Sequence, residues 1–436
     1  MSQSGTIFSL SSGRLPAGVA VVRISGTKVR FVLETIFGSV PYPRDMAYGP
    51  LVNSGGSLID RGLAVYFPGP SSFTGEDCGE FHVHGSIAVV RALSLALSEI
   101  EDVRQAEPGE FTQRAFLNGK MDLTQAEGLG DLIASETEAQ RRLALLQSEG
   151  NFLKLYEDWR TRLVQARAMV EAVIDFSDED DVAERALADI ELKLSGLSAE
   201  ITRHVSGFRQ SEIIREGFNV VILGAPNSGK STLINALAGR EVAIATEEAG
   251  TTRDLIDVRL ELQGNLVIIT DTAGIRSNAG MVETIGIEKA RSRAISSDLV
   301  LLVEDIIRPV TIDLPEVACK VLRIGNKADA LANCPSGYDH VISAINGDGI
   351  DELLARIGGE AVRSTSASEL FVVHSRHLGY LRDSLKEIDL SQSAGLRLDL
   401  VAEHLRLASN CIGQLTGRVD VEELLGIIFS KFCVGK

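Results

Sequence analysis

Apolar and polar positions along this 436-residue chain change their spacing three times. Up to about residue 118, short apolar runs alternate with turn residues. VAVVRISG (19–26) reads as a strand closed by a glycine turn, and LAVYFPGPSSFTGED (63–77) as a strand running into a turn-rich loop; EFHVHG (80–85) alternates with period two. From about residue 120, MDLTQAEGLGDLIASETEAQRRLALLQ and the stretch 150–210 are almost free of proline and space Leu, Ile and Ala as helices do. Asp122 followed three places later by Gln125 predicts a capped helix start. From Phe218 strands and helices alternate to about residue 360, and from about 369 the chain is helical again. This order predicts an N-terminal α+β domain over 1–118 and a helical domain made of 119–214 and 364–436. An α/β module at 215–363 is inserted between the two helical parts, which could instead be two separate domains.

Composition places the chain among globular proteins, with 44% hydrophobic and 24% charged residues. No apolar run reaches the roughly 18 residues of a membrane helix, and the start, MSQSGTIFSL, has no basic segment leading into an apolar core. The expectation is a cytoplasmic protein with no membrane partner. The net charge is −17, so any contact with nucleic acid needs a local basic patch or a partner rather than the overall field. Residues 1–118 are nearly balanced, with 9 basic and 11 acidic side chains, and the acidity lies beyond them. The five cysteines form no CxxC pair, which argues against a disulfide framework or a zinc ribbon.

The chemistry is concentrated in the inserted module. FNVVILGAPNSGKSTLINAL (218–237) is an apolar strand, a GxxxxGKS loop and a helix in sequence. Gly224 and Gly229 let the backbone curl so that several N–H groups meet one phosphate chain; Lys230 reaches the outer phosphates, and the Ser231 hydroxyl is a Mg²⁺ ligand. LVIITDTAG (266–274) ends a second apolar strand, with Asp271 near the metal and the Gly274 N–H near the terminal phosphate. Thr251 and Thr252 lie between the two, and Thr252 is the candidate second Mg²⁺ hydroxyl. VLRIGNKAD (321–329) supplies Asn326, Lys327 and Asp329. The Asp329 carboxylate accepts both N–H donors of the guanine edge, which adenine lacks. Ser343 and Ala344 close the base pocket. The fold class is therefore a Ras-like, doubly wound P-loop GTPase domain within a multidomain α/β plus α chain. Ile275 follows DTAG where many GTPases carry a water-orienting Gln. Glu283 is the nearest carboxylate that could take over, though it could also simply cap a helix.

Outside these motifs, FTGED (73–77), PGEFTQRAFLNGKMDLTQAE (108–127), IDFSDEDD (174–181) and the terminal FCVGK (432–436) make the chain resemble the MnmE/TrmE family of tRNA-modification GTPases over essentially its whole length. Ser86 departs from the second glycine common after HG in that family. The resemblance implies a homodimer joined through N-terminal domains, working as a heterotetramer with the FAD-dependent flavoprotein MnmG (GidA). Together they would place a (carboxymethyl)aminomethyl group on C5 of the wobble uridine of certain tRNAs. It also implies a 5,10-methylene- or 5-formyl-tetrahydrofolate bound in the N-terminal domain, at positions matched by Arg23, Glu80, Lys120 and Lys436.

Further roles follow from the same resemblance. Asn227, with Thr246, Glu248 and Thr251, matches ligands of a K⁺ that replaces an arginine finger. Asn227, Ser228, Gly229, Lys230, Ser231 and Thr232, the loop Thr246, Glu247, Glu248, Ala249, Gly250, Thr251 and Thr252, and the segment Asp271, Thr272, Ala273 and Gly274 match nucleotide-contacting positions. Glu283 matches a water-positioning glutamate, and Cys433 a functional cysteine that could otherwise be a buried apolar residue. Glu80, His82 and His84 share one strand face; a metal site there lacks an evident fourth ligand, and a pocket wall or satisfied core is the alternative. The rival functional readings are a ribosome-assembly GTPase of the Era/Der type and a one-carbon transferase carrying a GTPase switch.

Overall fold

The structure is a computed structural model of the chain. It describes residues 5–175, 180–240, 242–244, 257–271, 292–310, 312, 316–331, 335–365, 371–393, 397–418, 422–430, 432 and 435. By compactness the chain divides into two units, one of residues 1–130, 148–160 and 412–436, the other of 131–147 and 161–411.

The first unit is built on strands β1 (Thr6–Leu10), β2 (Ala17–Ser25), β3 (Ala47–Val52), β4 (Leu58–Phe67), β5 (Cys78–Gly85) and β6 (Val103–Gln105). They form one sheet in the order β3-β4-β5-β2-β1-β6, antiparallel except for β1 and β6. The period-two pattern of β5 decides its faces. Phe81 and Val83 are buried at 0% and 3% exposure, and Glu80, His82 and His84 alternate with them onto the other face. Helices α1 (Val29–Phe37) and α2 (Ile87–Ser98) cover the buried face. Val29, Val32, Leu33 and Ile36 from α1 and Val90, Leu93 and Leu97 from α2 share one core with Val22, Ile24 and Phe81. Each fully buried Leu or Phe contributes about 1.5–3 kcal/mol. Ser86 has a structural reason to differ from glycine: its hydroxyl accepts the Ala88 N–H at 3.2 Å and caps α2.

After α3 (Glu110–Leu117), α4 (Leu123–Ala134) starts as its sequence predicts. Asp122 Oδ1 accepts the N–H groups of Thr124 and Gln125, and Gln125 Oε1 accepts the Asp122 N–H at 3.1 Å. The long helices α6 (Asn151–Asp175) and α7 (Asp180–Ser206) follow α5 (Glu138–Ser148), and α8 (Phe208–Glu216) leads to the second sheet.

That sheet lies wholly in the second unit and comprises β7 (Phe218–Leu223), β8 (Asp257–Leu262), β9 (Asn265–Asp271), β10 (Leu299–Asp305), β11 (Lys320–Asn326) and β12 (His340–Ile342). The order is β12-β11-β10-β7-β9-β8; only β8 runs antiparallel to its neighbour. β7 and β10 read as continuous apolar runs because both faces of a parallel sheet are covered. Since β7 sits between β9 and β10, the loop after it opens at the point where the winding reverses, the usual place for a ligand in such sheets. The edge hairpin β8–β9 is fastened within its unit: Glu136 takes Arg259 bidentately at 2.9 Å, and the Ala139 N–H reaches Gly264 O.

In the first unit the FTGED loop is tied down by buried polar bonds. Ser25 Oγ lies 2.7 Å from Thr74 Oγ1 and donates to Glu76, and Asp77 accepts from Tyr66 OH and Gly69 N–H. Arg114, 3% exposed, donates to Glu76 at 3.0 Å and to Glu110 at 2.9 Å; Arg104 holds both Glu110 oxygens. Burial alone would raise the Glu110 carboxyl, but the hydrogen bonds from Arg104, the Glu107 N–H and Arg114 hold it below the ordinary carboxylate value. Its stabilisation is therefore present at neutral pH and is lost as pH falls through that lowered value. Replacing Arg114 by Leu leaves Glu76 and Glu110 with a missing partner and is expected to cost about 3–5 kcal/mol. The check is urea unfolding followed through Trp159, the single tryptophan, which is buried in the first unit. The stability gap between wild type and Glu110→Gln will narrow as pH falls from about 7 toward about 3.

Candidate functional site

The loop between β7 and α9 (Lys230–Ala238) needs both of its glycines. A Cβ on Gly224 would stand 2.2 Å from Val303 O, and one on Gly229 would stand 2.1 Å from Asn326 Nδ2. Both have positive φ, as does Asn227 at 65°. Gly229 is the N-cap of α9 and offers no side chain to its first N–H groups, which leaves them for an anion. The Ser228 Oγ is buried without a hydrogen-bond partner, an orphan that a phosphate oxygen would satisfy. Lys230 is buried, and its Nζ donates to Gly224 O and Ala225 O at 2.8 and 2.9 Å. Ser231 and Thr232 are exposed in the first turn of α9, and Asn227 is exposed in the loop. The residues present thus fit a phosphate chain, and Ser231 adds the hard oxygen that Mg²⁺ prefers.

The base end is joined to this loop by one side chain. Asn326, 2% exposed, ends β11. Its Nδ2 donates to Ser228 O at 2.9 Å, and its Oδ1 accepts the N–H groups of Lys327 and Ala344. Ser343 Oγ donates to Asp329 Oδ1 at 2.6 Å, so the carboxylate of this exposed residue is held. Asp271 ends β9 and pairs in register with Ile222, two residues before Gly224. Ser228, Gly229, Asn326 and Ala344 are thus brought together, with Asn227 and Lys230 on the same loop and Ser343 beside Ala344. Thr246, Glu247, Glu248, Ala249, Gly250, Thr251, Thr252, Thr272, Ala273, Gly274 and Glu283 lie outside the described residues, as do Cys433 and Lys436.

One member of the site was missed: Asp305, the partner of the expected Lys327. Lys327 has φ 73°, and its Nζ pairs with Asp305 Oδ2 at 2.6 Å. The other Asp305 oxygen accepts the Ile307 and Arg308 N–H groups. Burial would raise the Asp305 carboxyl, but Lys327 and these N–H groups hold it below its ordinary value. The signal was available as an acid directly ending the buried run LVLLVED.

In the first unit, Arg23 on β2 stands opposite Glu80 on β5, and the two are paired at 3.0 Å. The Arg23 guanidinium lies 5.2 Å from the Phe73 ring centroid. Lys120 Nζ donates to Pro70 O, and its stem lies 3.3 Å from where a Cβ on Gly75 would be. Near the C-terminus, Gly435 O accepts from Ser11 Oγ at 2.8 Å, and Gly435 packs against Leu10. Those residues follow Ser9, which pairs with Arg23 across β1 and β2. His84, on the same face, goes to Asp60 at 2.9 Å.

Residues 123–433 match the MnmE helical domain, and residues 6–120 match the N-terminus of the GTP-binding protein TrmE. The chain belongs to the MnmE family. The tRNA modification GTPase MnmE of Brucella anthropi is 53% identical over 99% of this chain and 98% of its own length, and that of Brucella melitensis biotype 1 is 50% identical over the same shares. Among solved structures, an Aquifex aeolicus Era variant bound to GDP·AlF4⁻ is 25% identical, covering 40% of this chain and 68% of its own, with a TM-score of 0.27, too low to bear on the fold. For this MnmE-family chain the base end gives a direct prediction. Xanthine carries a carbonyl where guanine carries its 2-amino group, so Asp329→Asn exchanges an acceptor for a donor. GTP binding should weaken on the order of 100-fold, and XTP binding should strengthen by a similar factor. Equilibrium binding of the two nucleotides to wild type and variant checks it.

Proposed function

We propose that this protein is a K⁺-stimulated GTPase that serves the modification of wobble uridine 34 in certain tRNAs. The observation that carries the reading is the convergence of the phosphate loop and guanine loop on Asn326, in a chain related over its full length to tRNA modification GTPases. The uncapped start of α9, Ser228 Oγ and Lys230 take the phosphates. Ser231 and Thr252 would hold Mg²⁺; Asn227, Thr246, Glu248 and Thr251 would hold K⁺. Bound there, the two cations supply the positive charge that an arginine finger provides elsewhere. Glu283 orients a water onto the γ-phosphorus, the bond to the β-phosphate oxygen breaks, and GDP and phosphate leave.

The polar face of the N-terminal sheet is read as the site of a tetrahydrofolate one-carbon donor. The Glu80 carboxylate suits the N–H edge of a pterin, and Arg23 and Lys120 suit the carboxylates of the folate tail. Burial would raise the Glu80 carboxyl, but the His82 hydrogen bond and the Arg23 charge hold it below its ordinary value, which keeps it an acceptor at neutral pH. Placement of Gly435 beside Leu10 and Ser11 supports a contribution from Lys436 and Cys433. The protein would act as a homodimer with the flavoprotein MnmG, whose FAD completes the installation of the (carboxymethyl)aminomethyl group. No helix among the described residues is long and apolar enough to cross a membrane.

GTP turnover should be at least about 10-fold faster in K⁺ than in Na⁺ at equal ionic strength, and Asn227→Ala should abolish that advantage. Equal rates in the two salts would refute the cation role. In cells lacking the protein, nucleoside analysis of tRNA should show wobble uridine without the C5 substituent; a normal profile would refute the tRNA role.

A further inference from the structure

We propose that His82 is a positioning residue of the N-terminal ligand site. It locks the Glu80 carboxylate in the plane that accepts two adjacent N–H donors from a flat heterocycle. The inference rests on the folate reading of Arg23 and Glu80 and adds a residue to it.

Glu80 is 15% exposed, and its two oxygens are held separately. Arg23 Nε and Nη2 both lie 3.0 Å from Oε1, and His82 Nε2 lies 3.1 Å from Oε2. The partners come from different directions. Arg23 faces Glu80 across the β2–β5 pair, whereas His82 lies two residues further along β5 on the same face. A glutamate's last torsion is soft, so with Arg23 alone the carboxylate could turn about its Oε1 contact. The second bond removes that freedom. Each carboxylate oxygen has two lone-pair sites; the hydrogen bond from Arg23 Nε takes one on Oε1, where Nη2 adds only an ion-pair contact, and that from His82 Nε2 takes one on Oε2, so one site on each is left for a ligand. Those two free sites match an amino group beside a ring N–H, the edge of a 2-aminopyrimidinone. A heterocycle with an acceptor at either place would leave a half-buried acceptor unpaired, which is costly. An ionised Glu80 can only accept, so His82 Nε2 is the donor in this contact.

His84 supplies an internal control. It occupies the next position of the same face, but it is 72% exposed and its imidazole goes to Asp60, not to Glu80. Position on the strand therefore does not make a positioning histidine; contact with Glu80 does.

The test titrates 5-formyltetrahydrofolate, and its analogue with a methyl in place of the 2-amino group, into full-length wild type and the variants His82→Leu, His82→Gln, His84→Gln and Glu80→Ala. Thermal unfolding and GDP affinity are measured alongside. His82→Leu should bind the natural ligand roughly 10-fold more weakly and lose most of the discrimination against the analogue. His82→Gln, whose amide N–H can replace the imidazole donor, should restore both to within about 3-fold. His84→Gln should match wild type, and GDP affinity should be the same in all. If Glu80→Ala abolishes binding while His82→Leu binds and discriminates as wild type does, the His82 role is overturned and the folate reading stands. Equal loss in His82→Leu and His82→Gln also overturns it, since a packing role gives that result. If wild type itself fails to bind, both are overturned.

Discussion

The nucleotide site proposed for the second unit is built around one buried carboxamide. Asn326 gives its N–H to the phosphate loop at Ser228 and takes the backbone N–H of Ala344 from the base loop. Phosphate reading and base reading come from separate loops, and neither loop alone fixes the span of a nucleoside triphosphate. A buried amide satisfied on both sides sets that distance, and the same burial makes each of its bonds costly to lose. Gly229 is part of this arrangement, because any side chain there would displace the Asn326 amide.

The chain carries a net charge of −17, yet both sites are proposed to take anions or ligands with anionic tails. The first does this mainly with geometry: uncapped helix N–H groups, a buried lysine held by its own loop's carbonyls, and an unsatisfied serine hydroxyl. The second places Arg23 against Glu80, so its cation is already engaged and aimed. Local fields of this kind are short-ranged and indifferent to the overall balance. In the function proposed, specificity would follow from which acceptors are held in place, at Asp329 by Ser343 and at Glu80 by Arg23 and His82.

Much of this was legible in the sequence, for reasons particular to each element. The β7 strand and its loop could be read because an apolar run, obligatory glycines and a helix start are all local features. The Asp122–Gln125 cap and the faces of β5 were equally local, one fixed by a three-residue spacing and the other by period two. What could not be read is what depends on distant partners. Nothing near Asp305 says that it meets Lys327, and nothing near Ser11 says that it meets Gly435, 424 positions away. The pairing of β2 with β5 belongs to the same class.

The central claim is that Asn326 assembles the nucleotide site by joining its two loops. The direct measurement is calorimetric titration of GDP into full-length Asn326→Ala, with circular dichroism to show that the chain remains folded. The account predicts a loss of affinity on the order of 100-fold with the fold retained. A folded variant that binds GDP as tightly as wild type would contradict it.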